Sequence, residues 1–394
     1  MKTAIETAGV KARVITPNDN GHYFFGYYDL QPFDSTGRYH LCHKAPFEDR
    51  IPDKDDLCGL GAIDLQTGTF IQYAETKAWN FQQGAFLRWY QDDNHILFNV
   101  REDGAYRCCI LNIQTGERRI LPMAVADTTR DGKYAVCVNF SRIFDFRPGY
   151  GYTGIKDPFF DEKAPEDDGV FLMDLKTGAV KQLLNYQTMR DAFFKEPYSN
   201  GKLLVNHINF NPSGTHYAML FRNFIENGIG WKTQLLTGDL QGKLYCMSDF
   251  GFHSHYNWKN DNELLIFSGY SDEHRDDGLY LFENLTGKAE KLPQPNPDKD
   301  IHCLYSPNRR YILGDGYPDA DGYRAIHLID TVKHTDTIIG RYYSIMRTRA
   351  DWEYRCDLHA RFDPTGRFVS FDSNHIGRRC VCLLDLDGLE HYQY

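Results

Sequence analysis

The chain has 394 residues, 42% of them hydrophobic and 25% charged, which suits a large folded core and argues against disorder. The formal net charge of −10 argues against a non-specific nucleic-acid binder. It does not exclude an anionic ligand, because the field inside a cleft is local. No run approaches the ~20 apolar residues of a membrane span, so no membrane partner is expected. The start, Met1-Lys2-Thr3-Ala4-Ile5-Glu6, lacks an apolar leader core, and a cytoplasmic location is expected. Ten cysteines, among them Cys108, Cys109, Cys380 and Cys382, show neither zinc-ribbon spacing nor a short disulfide framework. They read as small apolar side chains in a reducing compartment. Aromatics make up 14% of the chain, which favours strands and suits a sugar-binding cleft.

Two turn elements alternate along the chain. Arg13-Val14-Ile15-Thr16 comes first, a strand with no unit of its own. The first recurrent element is a turn feeding an apolar strand: Asp34-Ser35-Thr36-Gly37, Asp92-Asp93-Asn94, Asp131-Gly132, Pro212-Ser213-Gly214, Asn260-Asp261-Asn262, Pro307-Asn308-Arg309 and Pro364-Thr365-Gly366. The second is a hairpin turn, as in Asp64-Leu65-Gln66-Thr67-Gly68, Asn112 to Gly116 and Asp174 to Gly178. It recurs at Asp239 to Gly242, Asn284 to Gly287, Asp330 to Val332 and Asp385 to Gly388. Asp or Asn with Gly supplies the backbone angles of a tight reversal. Two hairpins make a four-stranded sheet, and the unit spacing of about 45 to 65 residues matches propeller blades. The expectation is an all-β, seven-bladed β-propeller forming one domain over 1–394, with the N-terminal strand joining the last blade to close the ring. Insertions are expected over 46–58, 147–168 and 189–198.

Four histidines share one place in the repeat. His207, His255, His302 and His359 each precede two residues, an aromatic, one residue and a turn. They should line the channel at equal depth in blades 4 to 7. His253, Asp300 and Asp357 lie two positions before His255, His302 and His359, on the same strand face. His255, His302, Asp357 and His359 therefore form a candidate divalent-metal site, or else a hydrogen-bonded polar plug.

Three other groups could carry chemistry. Asn80, Gln82 and Gln83, beside Trp79 and Phe81, read as a sugar-binding edge or as amides satisfying loop backbone. Arg142 and Arg147, with Tyr150 and Tyr152, offer a carboxylate clamp and a proton donor, or the packing of an insertion. Arg222 and Lys232 could face an anionic substrate or cap the sheet. His22, among aromatics, reads as structural. No Walker loop, dinucleotide fingerprint or G-x-S-x-G elbow is present.

The segment from about 254 to 386 resembles oligogalacturonate lyase, a seven-bladed propeller that cleaves uronic-acid oligosaccharides by β-elimination with a bound divalent metal, typically manganese. Ser254-His255-Tyr256-Asn257-Trp258, Ile301-His302-Cys303-Leu304 with Gly314-Asp315-Gly316, and Asp357-Leu358-His359-Ala360-Arg361-Phe362 carry the resemblance. It implies metal histidines at His255 and His359. The family's middle histidine falls on Asp357, its ligating glutamine near Tyr354 and its basic arginine near Lys232. Tyr354 is not an equivalent ligand, and His302 is the substitute. The chain is also similar to ulvan lyases, zinc-bearing seven-bladed propellers, so manganese and zinc both remain open.

The resemblance implies an acidic oligosaccharide or polysaccharide substrate. His207 or Lys232 would take the C5 proton, Tyr150 or Tyr152 would protonate the leaving oxygen, and desolvation or Arg222 would lower the pKa of Lys232. The alternatives are a non-catalytic glycan- or protein-binding propeller and a glycoside hydrolase using Asp300 and Asp357.

Overall fold

The computed structural model describes residues 3–193, 201–224, 231–269, 275–297, 299–344 and 349–394. Part of the insertion expected over 189–198, and the loop before Trp231, lie outside them. The strands form seven antiparallel sheets in sequential order, as a β-propeller. Their inner strands begin at His22, Arg88, Asp127, Lys202, His253, Ile301 and Arg361.

The seventh sheet joins the two ends of the chain. Ala12–Val14 pairs with Cys380–Asp385, setting Val14 opposite Cys382. This N-terminal strand is the outer strand of blade 7 and closes the ring. A feature absent from the sequence reading precedes it. Ala4–Ile5 pairs with Thr335–Tyr343 and adds a fifth strand to blade 6.

The two repeated turns meet at the same end of a blade. The arginine after the first turn bonds the aspartate of the second: Arg38 to Asp64 at 2.7 Å, Arg310 to Asp330 at 2.8 Å and Arg367 to Asp385 at 2.8 Å. At Asp64 the carboxylate also accepts from the Gln66 amide, and Gly68 completes the reversal at φ 72°. In blades 1, 6 and 7 the two repeated turns are thus joined by the same side-chain clip.

The insertion of blade 3 contains a helix, Phe140–Phe146. Asn139 caps it by accepting from the Ser141 and Arg142 amides. Its Phe140 stacks on Tyr152 at 4.4 Å, and its Phe146 stacks on Phe224 of blade 4 at 4.5 Å. The insertion is therefore packed down between blades 3 and 4, and it carries Arg147 and Tyr150 to the side of His207 and Trp231.

Candidate functional site

The four repeated histidines converge at one end of the channel. Ring centroids are 6.1 Å apart for His207 and His255, 4.0 Å for His255 and His302, and 4.4 Å for His302 and His359. Irregular backbone aims three of them, while His302 sits in a regular ladder opposite Asp315. The ladder of blade 4 slips between Asn206 and Ile208, and that of blade 5 between His253 and Tyr256. His207 and His359 sit at φ 48° and φ 45°, in the left-handed region that non-glycine residues seldom occupy. Such a kink breaks the in-out alternation of a strand and turns a side chain into the channel.

Carboxylates orient two of the rings. His255 Nδ1 lies 3.0 Å from Asp300, which also accepts from Ser254 at 2.7 Å. His302 Nδ1 lies 3.0 Å from Asp315, its cross-strand partner. The other Asp315 oxygen accepts from the Ala360 amide at 3.0 Å, tying blade 6 to blade 7. Burial works to lower the His302 pKa, but Asp315, Asp357 and Asp300 outweigh it and raise it. Burial lowers the His359 pKa well below its ordinary value, helped by the positive field of His302.

His302, Asp357 and His359 bring one ligand atom each within 4.8 Å of one another. His302 Nε2 and His359 Nε2 are buried without a hydrogen-bond partner. A buried imidazole nitrogen left open beside a carboxylate-anchored ring is the arrangement of metal-ligating histidine, so these residues fit a divalent cation. Asp357 is shared, however. Arg324 Nη2 lies 2.8 Å from one of its oxygens and Arg355 Nη2 2.8 Å from the other. Burial would raise the Asp357 pKa, but these two guanidiniums bring it well down. The carboxylate is ionised and already neutralised, which leaves the imidazoles as the stronger donors. Tyr354 is turned away, its hydroxyl bonded to Asp351 at 2.8 Å.

Beside the metal-binding group lies a second cluster. Tyr27 and His207 Nδ1 are 2.5 Å apart, and the Tyr150 ring is 5.3 Å from that of His207. Arg355 donates to the Tyr150 hydroxyl at 3.1 Å. The Arg147 guanidinium covers the Tyr150 ring at 4.5 Å and the Trp231 ring at 4.7 Å, and Arg222 covers Trp231 at 5.6 Å. Arg222 is 4% exposed, and among the described residues no carboxylate pairs with it. Burial, with the field of Arg147, lowers its pKa to about 10. Burial, with Arg222, His255 and Arg147, drives the His207 pKa well below its ordinary value, so His207 is neutral at neutral pH.

Other expected residues are placed elsewhere. Lys232 pairs across the ladder with Asn223 while Arg222 pairs with Thr233, so Lys232 and Arg222 lie on opposite faces of blade 4. The Tyr152 hydroxyl accepts from Asn99 at 3.0 Å, and its ring is stacked on Phe140, away from the histidines. Arg142, expected as a clamp, is fully buried. It is ion-paired to Asp157 and donates to the carbonyls of Leu203, Phe159, Glu162 and Lys163, because it anchors the insertion. Asn80 holds a turn by accepting from the Gln82 and Gln83 amides, and Gln82 donates to the Arg355 carbonyl at 3.0 Å. Gln83 lines a small cavity with Tyr27, Phe86, Asn206 and His207. His22 lies 3.6 Å from Glu48.

The sequence reading missed Tyr27, Asn206, Arg324 and Arg355 as parts of the site. Arg355 was accessible by the same i, i+2 rule that picked Asp357 before His359. Tyr27 carried no local signal, since its partner is 180 positions away.

No protein-family model and no curated protein matches the chain. Solved structures do. An oligogalacturonate lyase from Vibrio parahaemolyticus is 13% identical with a TM-score of 0.69, covering 99% of this chain and 97% of its own. An oligogalacturonate lyase in complex with manganese is 16% identical with a TM-score of 0.70, covering 97% and 95%. The tricorn protease is 11% identical with a TM-score of 0.55, over all of this chain and 35% of its own. The chain has the seven-bladed fold of oligogalacturonate lyase. Among the described residues no helix is long and apolar enough to cross a membrane.

Proposed function

We propose that the protein is a metal-dependent lyase that cleaves uronic-acid oligosaccharides by β-elimination. The observation that carries this reading is Arg222, buried beside Arg147 without a carboxylate and adjoining a neutral His207 and Tyr150. Arg222 lies in the positive field of Arg147, which is itself ion-paired to Glu353 at 3.9 Å, so an incoming anion is favoured beside Arg222. A uronate carboxylate is such an anion, and the guanidinium fork suits it.

Holding that carboxylate between cations makes the neighbouring C5 proton removable, because charge builds on the carboxylate as the proton leaves. His207 takes the proton. The Tyr27 hydroxyl holds its neutral ring, 2.5 Å from Nδ1 and 3.3 Å from Nε2. The C5–H electron pair becomes the C4=C5 double bond, and the C4–O bond breaks. Tyr150 protonates the leaving oxygen, and Arg355 stabilises the phenolate left behind. A divalent cation, manganese or zinc, held by His302 and His359 with His255 or Asp357, would supply further charge neutralisation at the carboxylate. The manganese complex of a structural neighbour supports manganese as the first ion to try.

The hydrolase alternative needs a protonated carboxylic acid. The Asp300 pKa, which burial alone would raise, is brought down by His255 and Ser254, and that of Asp357 by its two arginines. Neither is a proton donor at neutral pH.

The deciding assay incubates the protein with manganese and oligogalacturonates, and follows ultraviolet absorbance of the unsaturated product. Absorbance should rise with the parent and fall by about 10²–10⁴ in Tyr150→Phe. Chain shortening without absorbance would replace elimination by hydrolysis. Binding without turnover would leave a glycan-binding propeller.

A further inference from the structure

Behind the channel wall of blade 7 lies a second group of ligand atoms. Cys380 and Cys382 stand two apart on Cys380–Asp385 and so share a face. Their sulfurs are 3.8 Å apart. Two thiolates at the ~2.3 Å zinc–sulfur distance, at a tetrahedral angle, stand about 3.8 Å apart. His375 lies in the turn that joins Phe368–Ser373 to this strand, and its ligand atom is within 4.8 Å of both sulfurs. Ser373 holds His375 Nδ1 at 2.7 Å, which fixes the ring beside the two sulfurs. Tyr342 packs on the same ring at 5.4 Å.

We propose that Cys380, Cys382 and His375 bind one zinc-class cation, at a site separate from the channel histidines. Both cysteines are free and fully buried, while His375 is partly exposed and offers the access route. The donor set is soft, so it selects zinc or cobalt over manganese, which prefers oxygen ligands. Binding would displace thiol protons into solvent, so affinity rises with pH.

The site lies where the ring is closed. Cys382 is the ladder partner of Val14, on the N-terminal strand. A cation there ties the hairpin to the strand against which that segment closes. The channel metal and this one would differ in ion, in ligand and in purpose.

Cobalt(II) is the probe. Reduced, metal-free full-length protein is titrated with it, and thiolate-to-cobalt charge-transfer absorption is recorded. Free thiols are counted in denaturant beforehand, so that oxidation of the pair is detected and reversed. The parent and His359→Ala should both give the band, since channel imidazoles contribute none. Cys380→Ser and Cys382→Ser should abolish it. His375→Ala, in a partly exposed turn that does not threaten the core, should weaken cobalt binding by about tenfold or more. A fully reduced parent without the band overturns the proposal. So does a band that survives either cysteine substitution, or cobalt affinity unchanged in His375→Ala.

Discussion

Blades 2 and 4 bend the chain in the same way for different ends. Phe86 and His207 each open the stretch leading to a first turn, at φ 53° and φ 48°. The left-handed region costs a non-glycine residue about 1–3 kcal/mol, so neither kink is incidental. Both residues line one small cavity beside the channel. In blade 2 the kink turns an aromatic ring onto Phe140 at 5.4 Å. In blade 4 it turns an imidazole onto Tyr27. The kink belongs to the inner edge of the propeller, and function depends on which side chain is set upon it. Blades 4 and 7 carry histidine on it, and blades 5 and 6 carry histidine at the matching place without the positive φ, whereas the buried histidines of blade 1, His40 and His43, belong to its second strand and pack against Phe33 and Phe24.

That contrast can be broken most sharply by a pair of substitutions. His207→Ala should lower lyase turnover by about 10²–10⁴ with little change in melting temperature. Phe86→Ala should cost about 3–5 kcal/mol of stability and act on turnover only through that loss. Steady-state rates and thermal melts on both proteins check the pair, and equal behaviour would end the distinction.

The next effect is smaller and has opposite signs in two assays. Arg222→Met should weaken substrate binding by about 10- to 100-fold, the loss of one charge-assisted contact. It should also raise the melting temperature, because Arg147 is relieved of a buried like charge. A melting temperature that falls would mean that Arg222 is structural.

Asp315→Asn tests whether anchoring by a carboxylate sets the channel histidines apart from packing histidines. It should reduce metal affinity by about 10- to 100-fold, read by titration calorimetry with manganese. Loss of fold without loss of metal would assign Asp315 to the seam between blades 6 and 7.

The smallest effect is that of the packing histidines. Burial, with the positive field of Arg361, lowers the His40 pKa from 6.5 to about 3. Burial does the same to His43. Between those values the unfolded chain binds protons that the folded chain does not, so stability falls as pH falls through 6.5 towards 3. Each should cost about 1 kcal/mol at pH 6, and nothing above pH 8. His40→Phe should flatten the acid side of the stability curve in denaturant titrations.

Much of the architecture was legible because it is written locally. Each hairpin carries its own Asp or Asn and Gly, and a turn three to five residues long needs nothing distant to form. The periodicity of such turns counts the blades, and equal spacing before the turn puts His255, His302 and His359 side by side. Arg142 shows where that reasoning stops. Arginine beside an aromatic loop has the same local sequence whether it meets substrate or five acceptors of its own chain, and only the fold of 157–163 around it decides. Lys232 shows the same limit at finer scale, since its face of blade 4 follows from a ladder register invisible in the sequence around it.

The sequence by itself determined the seven blades, the closure by the N-terminal strand, and the arc of histidines, because these depend on spacing along the chain. Only the tertiary structure decided that Asp357 is shared by Arg324 and Arg355, that Tyr27 meets His207, and that His375 comes over Cys380 and Cys382. The physical reason is that charge, protonation and ligand readiness are set by burial and by partners, and most of these partners arrive from other blades.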